Sequence, residues 1–399
     1  MRILFLHDNF PAQFGLLGQH LARKGWDVTF GTQRKGAAMQ GIRVFNYAPH
    51  REVTANIHPY VGGFEKAVLA GQGLARAALD LKKSGRRPDI VMAHSGWGPG
   101  LFAKDIWPDA KYVGYFEWYY RHDSPDVVFE SGDAQPLDDR LRARVRNAAI
   151  HSDLVACDAG LCPTEFQKRQ FPDCFADKIK VLHDGVDTDY FQPDPGAKLV
   201  LPGLDLSGAA EIITYVARGM EPYRGFPEFM QALALVLKKR PEAHAVIVGD
   251  DRVAYGKKLP EGDSYRKRAE REIDLDWRRV HFTGLLPRPH YRKVLLASSV
   301  HVYLTIPFVL SWSLMEAMSA GCAIVASDVE PVREMAGERG ERMALVDMKD
   351  PAAVAAAIER ALIDRGFAQM QGRAAREAIL ARYAAEDIYA AKEAWLRAL

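Results

Sequence analysis

Short apolar, β-rich runs alternate with amphipathic helical stretches along most of this chain, and that alternation leaves few folds open to it. Residues 2–7, 27–30 and 42–47 read as strands, with a helix over about 14–24 between the first two. A longer helix ends by Lys83, and further strands are expected at 89–93, 112–116, 154–157 and 179–182. The pattern breaks where turn-formers crowd, at Gln192-Pro193-Asp194-Pro195-Gly196 and Leu201-Pro202-Gly203. It restarts at Glu211, with strands expected at 212–217, 245–248, 280–282, 300–305 and 323–326. A chain of 399 residues exceeds what one core usually holds. The expectation is therefore two α/β domains built on parallel sheets, at 1–192 and 211–383, joined by a linker at 193–210. The tail from Asp350 reads as successive helices, the last of which, about 384–399, is expected to pack back on the first domain.

Composition narrows the function classes. Hydrophobic residues at 48% and charged residues at 26% are those of a folded globular chain. The formal charge is only +2, so no global field marks nucleic acid as the partner. Arg140, Arg142, Arg144 and Arg146 form a local basic cluster, but i, i+2 spacing spreads them around a helix. Cys157, Cys162, Cys174 and Cys322 show no metal-ligand spacing and are expected as reduced thiols. The apolar start is too short for a secretory signal, and the stretch 300–326 is interrupted by His301, Pro307 and Glu316. A cytoplasmic protein follows as the expectation, with any membrane contact peripheral and at the inner face.

In open parallel sheets ligands bind beyond the carboxyl ends of the strands, where loops enter helices. The loop from His7 to Gly15 lacks the GxGxxG of dinucleotide binders, and no Walker A sequence occurs, which counts against dehydrogenases and P-loop kinases. In the second half, Arg218 and Arg224 flank a strand-to-helix turn, where guanidinium forks suit the oxygens of a diphosphate. Further on, Ser311 or Ser313 can cap the following helix, whose amides at Ser313, Leu314 and Met315 would form an anion site. Glu316 lies one turn in, among apolar neighbours, where a carboxylate needs hydrogen-bond donors such as ribose hydroxyls. In the first half, Glu117 and His94 end expected strands, and Tyr115-Phe116-Glu117-Trp118-Tyr119-Tyr120 supplies rings that suit sugar stacking or, equally, a core. The DxD-like pairs Asp187/Asp189 and Asp274/Asp276 lie in a turn and at a helix end, so no metal site is expected.

The run Arg218 to Gly225 resembles the GRxxxxKG segment of the retaining family 4 (group 1) glycosyltransferases of the GT-B fold, and Phe308 to Gly321 resembles their paired-glutamate segment. Asp184-Gly185-Val186-Asp187, Val248-Gly249-Asp250 and Glu330 to Glu334 match further turns of that family in the same order. The resemblance implies two Rossmann-like domains facing each other across a cleft. It implies a nucleoside-diphosphate sugar as donor substrate, no cofactor, and transfer with retention to a saccharide or lipid-linked acceptor. It assigns the diphosphate to Arg218 and Arg224, the ribose to Glu316, and donor contacts to Gly249, Asp250 and the loop of Gly15. Arg218, Arg224 and Glu117 are the catalytic candidates. Phe14, His94, Glu117, Phe308, Leu310 and Ser311 are the candidates for contact with sugar or acceptor. Two positions depart from the pattern: Arg224 stands where the family has Lys, and Phe308 where it has the first glutamate, a sugar contact. The second departure leaves room for a noncatalytic relative, beside a phosphorylase or epimerase on the same fold.

Overall fold

A computed structural model describes residues 1–83, 85–132 and 135–399, and the chain divides into two compact units. The first comprises Met1–Gly185 with Glu386–Leu399, the second Val186–Ala385. The first unit holds seven strands, β1 (Arg2–Leu6), β2 (Asp27–Thr32), β3 (Ile42–Asn46), β4 (Ile90–His94), β5 (Lys111–Tyr115), β6 (Ala159–Cys162) and β7 (Ile179–Val181). They form one parallel sheet in the order β3-β2-β1-β4-β5-β6-β7. Ile3, Leu4, Phe5 and Leu6 are all buried, as the central strand of a sheet covered on both faces requires.

The second unit opens with a short hairpin, β8 (Val200–Leu201) and β9 (Leu204–Asp205). Six parallel strands follow: β10 (Glu211–Gly219), β11 (Ala243–Asp250), β12 (Val280–Gly284), β13 (Val300–Tyr303), β14 (Ile324–Ser327) and β15 (Ala344–Val346). Their order is β12-β11-β10-β13-β14-β15. The segment 193–210, expected as a linker, thus belongs to the second unit: Leu199, Leu201 and Leu206 are buried against Ile212, Val246 and Val294. The chain changes units at Gly185, earlier than the turn-formers suggest, and returns at Ala385. The two connections lie side by side, with the Val186 amide donating to the Tyr383 carbonyl at 2.8 Å and the Ala385 amide to the Val186 carbonyl at 2.8 Å.

Residues 154–157 are not the strand their apolar run suggests. They end the helix Ala148–Ala156, and the strand follows at β6. Asp153, fully buried on that helix, accepts from Ser95 Oγ and Tyr112 OH, both at 2.8 Å. Gly160 lies in β6, where Phe116 packs in the place a side chain would take. The last helix, Ala385–Arg397, is tied to the first unit by Lys392, whose buried ammonium lies 3.5 Å from the Asp184 carboxylate. Tyr115 OH donates to both oxygens of Asp184 at 3.0 Å, so that carboxylate is paired and hydrogen-bonded as a buried charge must be. Among the described residues, no helix is long and apolar enough to cross a membrane.

Two buried imidazoles give the fold a pH dependence. His183 accepts the Gly185 amide on Nδ1, and His301 meets Thr214 Oγ1 at 2.9 Å. Burial pushes both down to about 4, so the folded protein holds them neutral. An unfolded histidine titrates near 6.5, so as pH falls the unfolded chain takes up protons first. This stabilisation is complete above about pH 6.5 and drains away toward pH 4, by roughly 3 kcal/mol for each histidine. Urea unfolding across that range should show the slope, and His301→Gln should flatten part of it; an unchanged slope would refute the assignment.

Candidate functional site

In the second unit the carboxyl ends of β10, β11 and β13 lie adjacent, because β10 pairs with both neighbours. Arg218 is exposed at the end of β10, and among the described residues it has no ion-pair partner. Gly219 pairs in register with Asp250 at the end of β11, and the Met220 amide donates to the Asp250 carbonyl. The Asp250 carboxylate itself meets Arg252 at 3.1 Å. Gly249 has φ +147°, and a side chain there would strike the Ala217 carbonyl oxygen at 2.1 Å, so this strand end admits only glycine.

The chain then makes a 3₁₀ turn over Pro222–Arg224 and enters the helix Phe226–Lys239 through Gly225, at φ +60°. A Cβ at Gly225 would come within 2.5 Å of the Leu304 Cβ, which fixes glycine at the entry. Arg224 differs from the sequence expectation of a loop cation open to ligand. Its side chain is buried: Nη1 donates to Thr305 Oγ1 at 2.8 Å and to Tyr303 OH at 3.4 Å, and Nη2 to the Val309 carbonyl at 3.0 Å. The guanidinium therefore braces the loop after β13 against the turn after β10. That loop holds Phe308, 8% exposed and packed edge-on to Tyr223 and Tyr255, and Leu310, which is likewise buried among apolar groups.

Ser311 caps the helix Trp312–Ser319, its Oγ accepting the Ser313 amide at 3.3 Å, and its own amide donates to Tyr303 OH at 2.9 Å. Leu314 donates its amide to the Ser311 carbonyl at 3.2 Å. Two of the three amides expected to meet an anion, those of Ser313 and Leu314, thus have partners within the chain. Glu316 accepts Tyr291 OH on Oε2 at 2.7 Å. Burial raises its carboxyl to about 7, against the lowering effects of the Tyr291 hydroxyl and of Arg288. Among the described residues Oε1 has no donor.

The first unit gathers a separate group of side chains at the ends of β1, β4 and β5. His94 Nε2 lies 3.6 Å from Glu117 Oε2, and Gln13 Nε2 donates to Glu117 Oε1 at 3.2 Å. The His7 and His94 rings meet at 4.8 Å. Asp8 accepts Tyr47 OH at 2.8 Å, and burial pushes its carboxyl up. His94 and Glu117, read separately in the sequence, are thus one cluster, to which Asp8 and Gln13 belong without having been singled out. Their place directly after the first strand was the available signal. Phe14, expected as a sugar contact, instead stacks on Phe5 at 5.3 Å and meets Tyr115 edge-on, 1% exposed; it is core. Gly15 starts the helix Gly15–Arg23 with its amide donated to the Pro11 carbonyl at 2.9 Å. Two of the four DxD-like carboxylates are paired with arginines: Asp276 with Arg278 and Arg279, and Asp187 with Arg288.

Removing the hydroxyl in Tyr291→Phe should move the Glu316 titration upward from about 7 by roughly one unit, the value of a charge-assisted hydrogen bond. Carboxyl ¹³C chemical shifts recorded against pH read this directly, and an unmoved midpoint would show that the hydroxyl does not hold the carboxylate.

Two sequence families match this chain. Residues 24–191 match the family described as "Glycosyl transferase family 4 group", and residues 210–364 the one described as "Glycosyl transferases group 1". No curated protein matches. Among solved structures, the chain is similar to HepE of Anabaena in complex with UDP and glucose, at 18% identity, TM-score 0.73 and full coverage of both chains. It is similar to a sucrose-phosphate synthase from Thermosynechococcus elongatus, at 18% identity and TM-score 0.75, over 100% of this chain and 98% of that one. An E. coli structure described as trehalose-6-phosphate bound with UDP-2-fluoro glucose matches at 14% identity and TM-score 0.68, over 100% and 99%.

Proposed function

Since this chain belongs to the family 4, group 1 glycosyltransferases and is an enzyme of the GT-B fold, we propose that it moves a sugar from a nucleoside-diphosphate sugar to a saccharide or glycoconjugate acceptor. The observation that carries the donor class is Arg218, an exposed guanidinium without an ion-pair partner among the described residues, at the end of a central parallel strand. Such a group neutralises the charge that grows on a departing diphosphate, at the strand ends where this architecture places its ligands. Glu316, whose Oε1 has no donor among the described residues, suits a ribose hydroxyl there. UDP with glucose, and a UDP-glucose derivative, occupy two of the similar structures, which makes UDP-glucose the first donor to test.

The finer parts of the reading rest on the family's motifs. The anomeric configuration is retained, with the departing phosphate oxygen accepting the acceptor's proton. Cationic side chains take the place of a metal at the leaving group. His94 and Glu117 serve as acceptor-side or sugar-side groups of the first unit. The setting is surface polysaccharide or glycoconjugate synthesis in the cytoplasm, with a lipid-linked acceptor reached by peripheral contact with the membrane.

Isothermal titration with UDP, GDP and ADP should show one tight binder. Arg218→Ala should weaken it by about 1.5–3 kcal/mol, or roughly 10- to 150-fold, with the fold intact by circular dichroism. Unchanged affinity in the folded variant would remove Arg218 from the donor site. Nuclear magnetic resonance of the first product's anomeric proton decides retention, and turnover in excess chelator decides metal dependence.

A further inference from the structure

The loop after β11 carries Tyr255, and a single side chain seats it. Glu221, fully buried in the turn after β10, accepts the amides of Ala254 at 2.9 Å, of Tyr255 at 3.1 Å on each oxygen, and of Gly256 at 2.8 Å. Three successive amides converging on a point form an anion-binding concavity, and here the protein fills it with its own carboxylate. The tether sets the Tyr255 backbone beside the turn of Arg224. The Tyr255 ring centre then lies 5.2 Å from the Arg224 guanidinium carbon and 5.4 Å from the Phe308 ring. Tyr223 closes the set, 5.3 Å from Phe308 at 85° and 6.2 Å from Tyr255 at 28°. Tyr255 is 36% exposed, so one side of this three-ring wall reaches solvent next to a buried cation.

A pyranose presents an apolar C–H face, which packs on aromatic rings, and in a nucleotide sugar it sits one bond from a phosphate that seeks a cation. The wall offers the first partner at its exposed edge and sets the buried charge of Arg224 behind it, at the loop where the family resemblance expects a carboxylate and Phe308 stands. We infer that Tyr255 reads the sugar moiety of the donor through its C–H face, with Glu221 as the positioning residue that holds the ring in place. This rests on the donor reading above and adds to it a group that distinguishes a nucleotide sugar from the bare nucleotide. The bonds of Arg224 to Thr305, Tyr303 and Val309 involve no atom of Tyr255, so removal of that ring is expected to leave them in place and to separate the effect from anion binding.

The test compares UDP with UDP-glucose, GDP with GDP-mannose, and ADP with ADP-glucose by isothermal titration on the full chain. Tyr255→Ala should weaken the preferred sugar conjugate about five- to tenfold while the matching bare diphosphate changes less than twofold, and Tyr255→Phe should keep the wild-type difference. Glu221→Gln should lose the same sugar-specific increment, and adding it to Tyr255→Ala should cost nothing further, because the pair acts through one ring. Equal weakening of conjugate and bare diphosphate would reduce Tyr255 to a structural role and overturn the inference, as would no change at all. A wild-type chain that binds none of the six would overturn the donor reading and this inference with it, whereas loss in Arg218→Ala alone would keep the first and sink the second.

Discussion

The buried guanidinium of Arg224 is the interaction on which the second unit's strand ends depend. Taking a cation out of water is costly unless its donors are met, and here a hydroxyl, a phenol and a carbonyl meet them while a tyrosine ring lies over the charge. Those partners come from the loop after β13 and the loop after β11, so one side chain binds three strand ends into a common surface. Among the described residues no carboxylate lies within ion-pair distance of it. Three hydrogen bonds hold the group without a carboxylate to neutralise it, and Arg218, at the end of the adjoining strand, is a second, exposed cation of this unit. An anion placed there would complete the electrostatics that the fold leaves open.

The first unit solves the opposite problem. Its internal charge, Asp184, lies where the chain leaves the unit, and the helix that returns at the other end of the sequence supplies Lys392 to it. A carboxylate with a buried ammonium and a phenol has nothing left to offer a ligand, so the Asp184-Gly185 turn is a joint rather than a site. The cluster of His7, His94, Glu117 and Gln13 lies instead at the ends of β1, β4 and β5. There His94 and Glu117 face each other at 3.6 Å, with Glu117 about one-third exposed. Imidazole and carboxylate at that separation, open on one side, are equipped to hold a hydroxyl or to share its proton.

Most of this architecture could be read from periodicity, since strands buried on both faces leave long apolar runs and helices between them leave amphipathic ones. The reading failed where a local signal had two meanings. Residues 154–157 are apolar enough for a strand, but they close a helix whose Asp153 is anchored by Ser95 and Tyr112, partners far away in sequence. The prolines and glycines of 193–210 mark turns, yet the leucines between them have a core to enter, so the segment folds with the second unit. Arg218, Arg224, Glu316 and Glu117 were legible as candidates from residue type and position alone, but the burial of Arg224 was not, since its partners Tyr303, Thr305 and Val309 lie some eighty residues on. Tyr291, Tyr255 and Glu221 were not, since each matters only through what it touches: a carboxylate in another helix, a guanidinium in another loop, and three amides some thirty residues on. Phe14 was overvalued for the converse reason, because its loop position hides a ring turned into the core.

Phe308 gains its meaning from the same electrostatics. The family resemblance expects a carboxylate at this position in the loop that Arg224 braces; the phenyl ring that stands there carries no charge and gives Tyr223 and Tyr255 something to pack against. The substitution therefore changes two properties together. Against that expectation it removes a negative charge, and it sets an apolar surface where a hydrogen-bond acceptor would stand. A ligand matching both carries negative charge at one end and an apolar face next to it, which a sugar diphosphate does. Glu221 completes the arrangement by remaining a carboxylate that is spent on backbone amides: it seats the aromatic wall without forming an ion pair with Arg224.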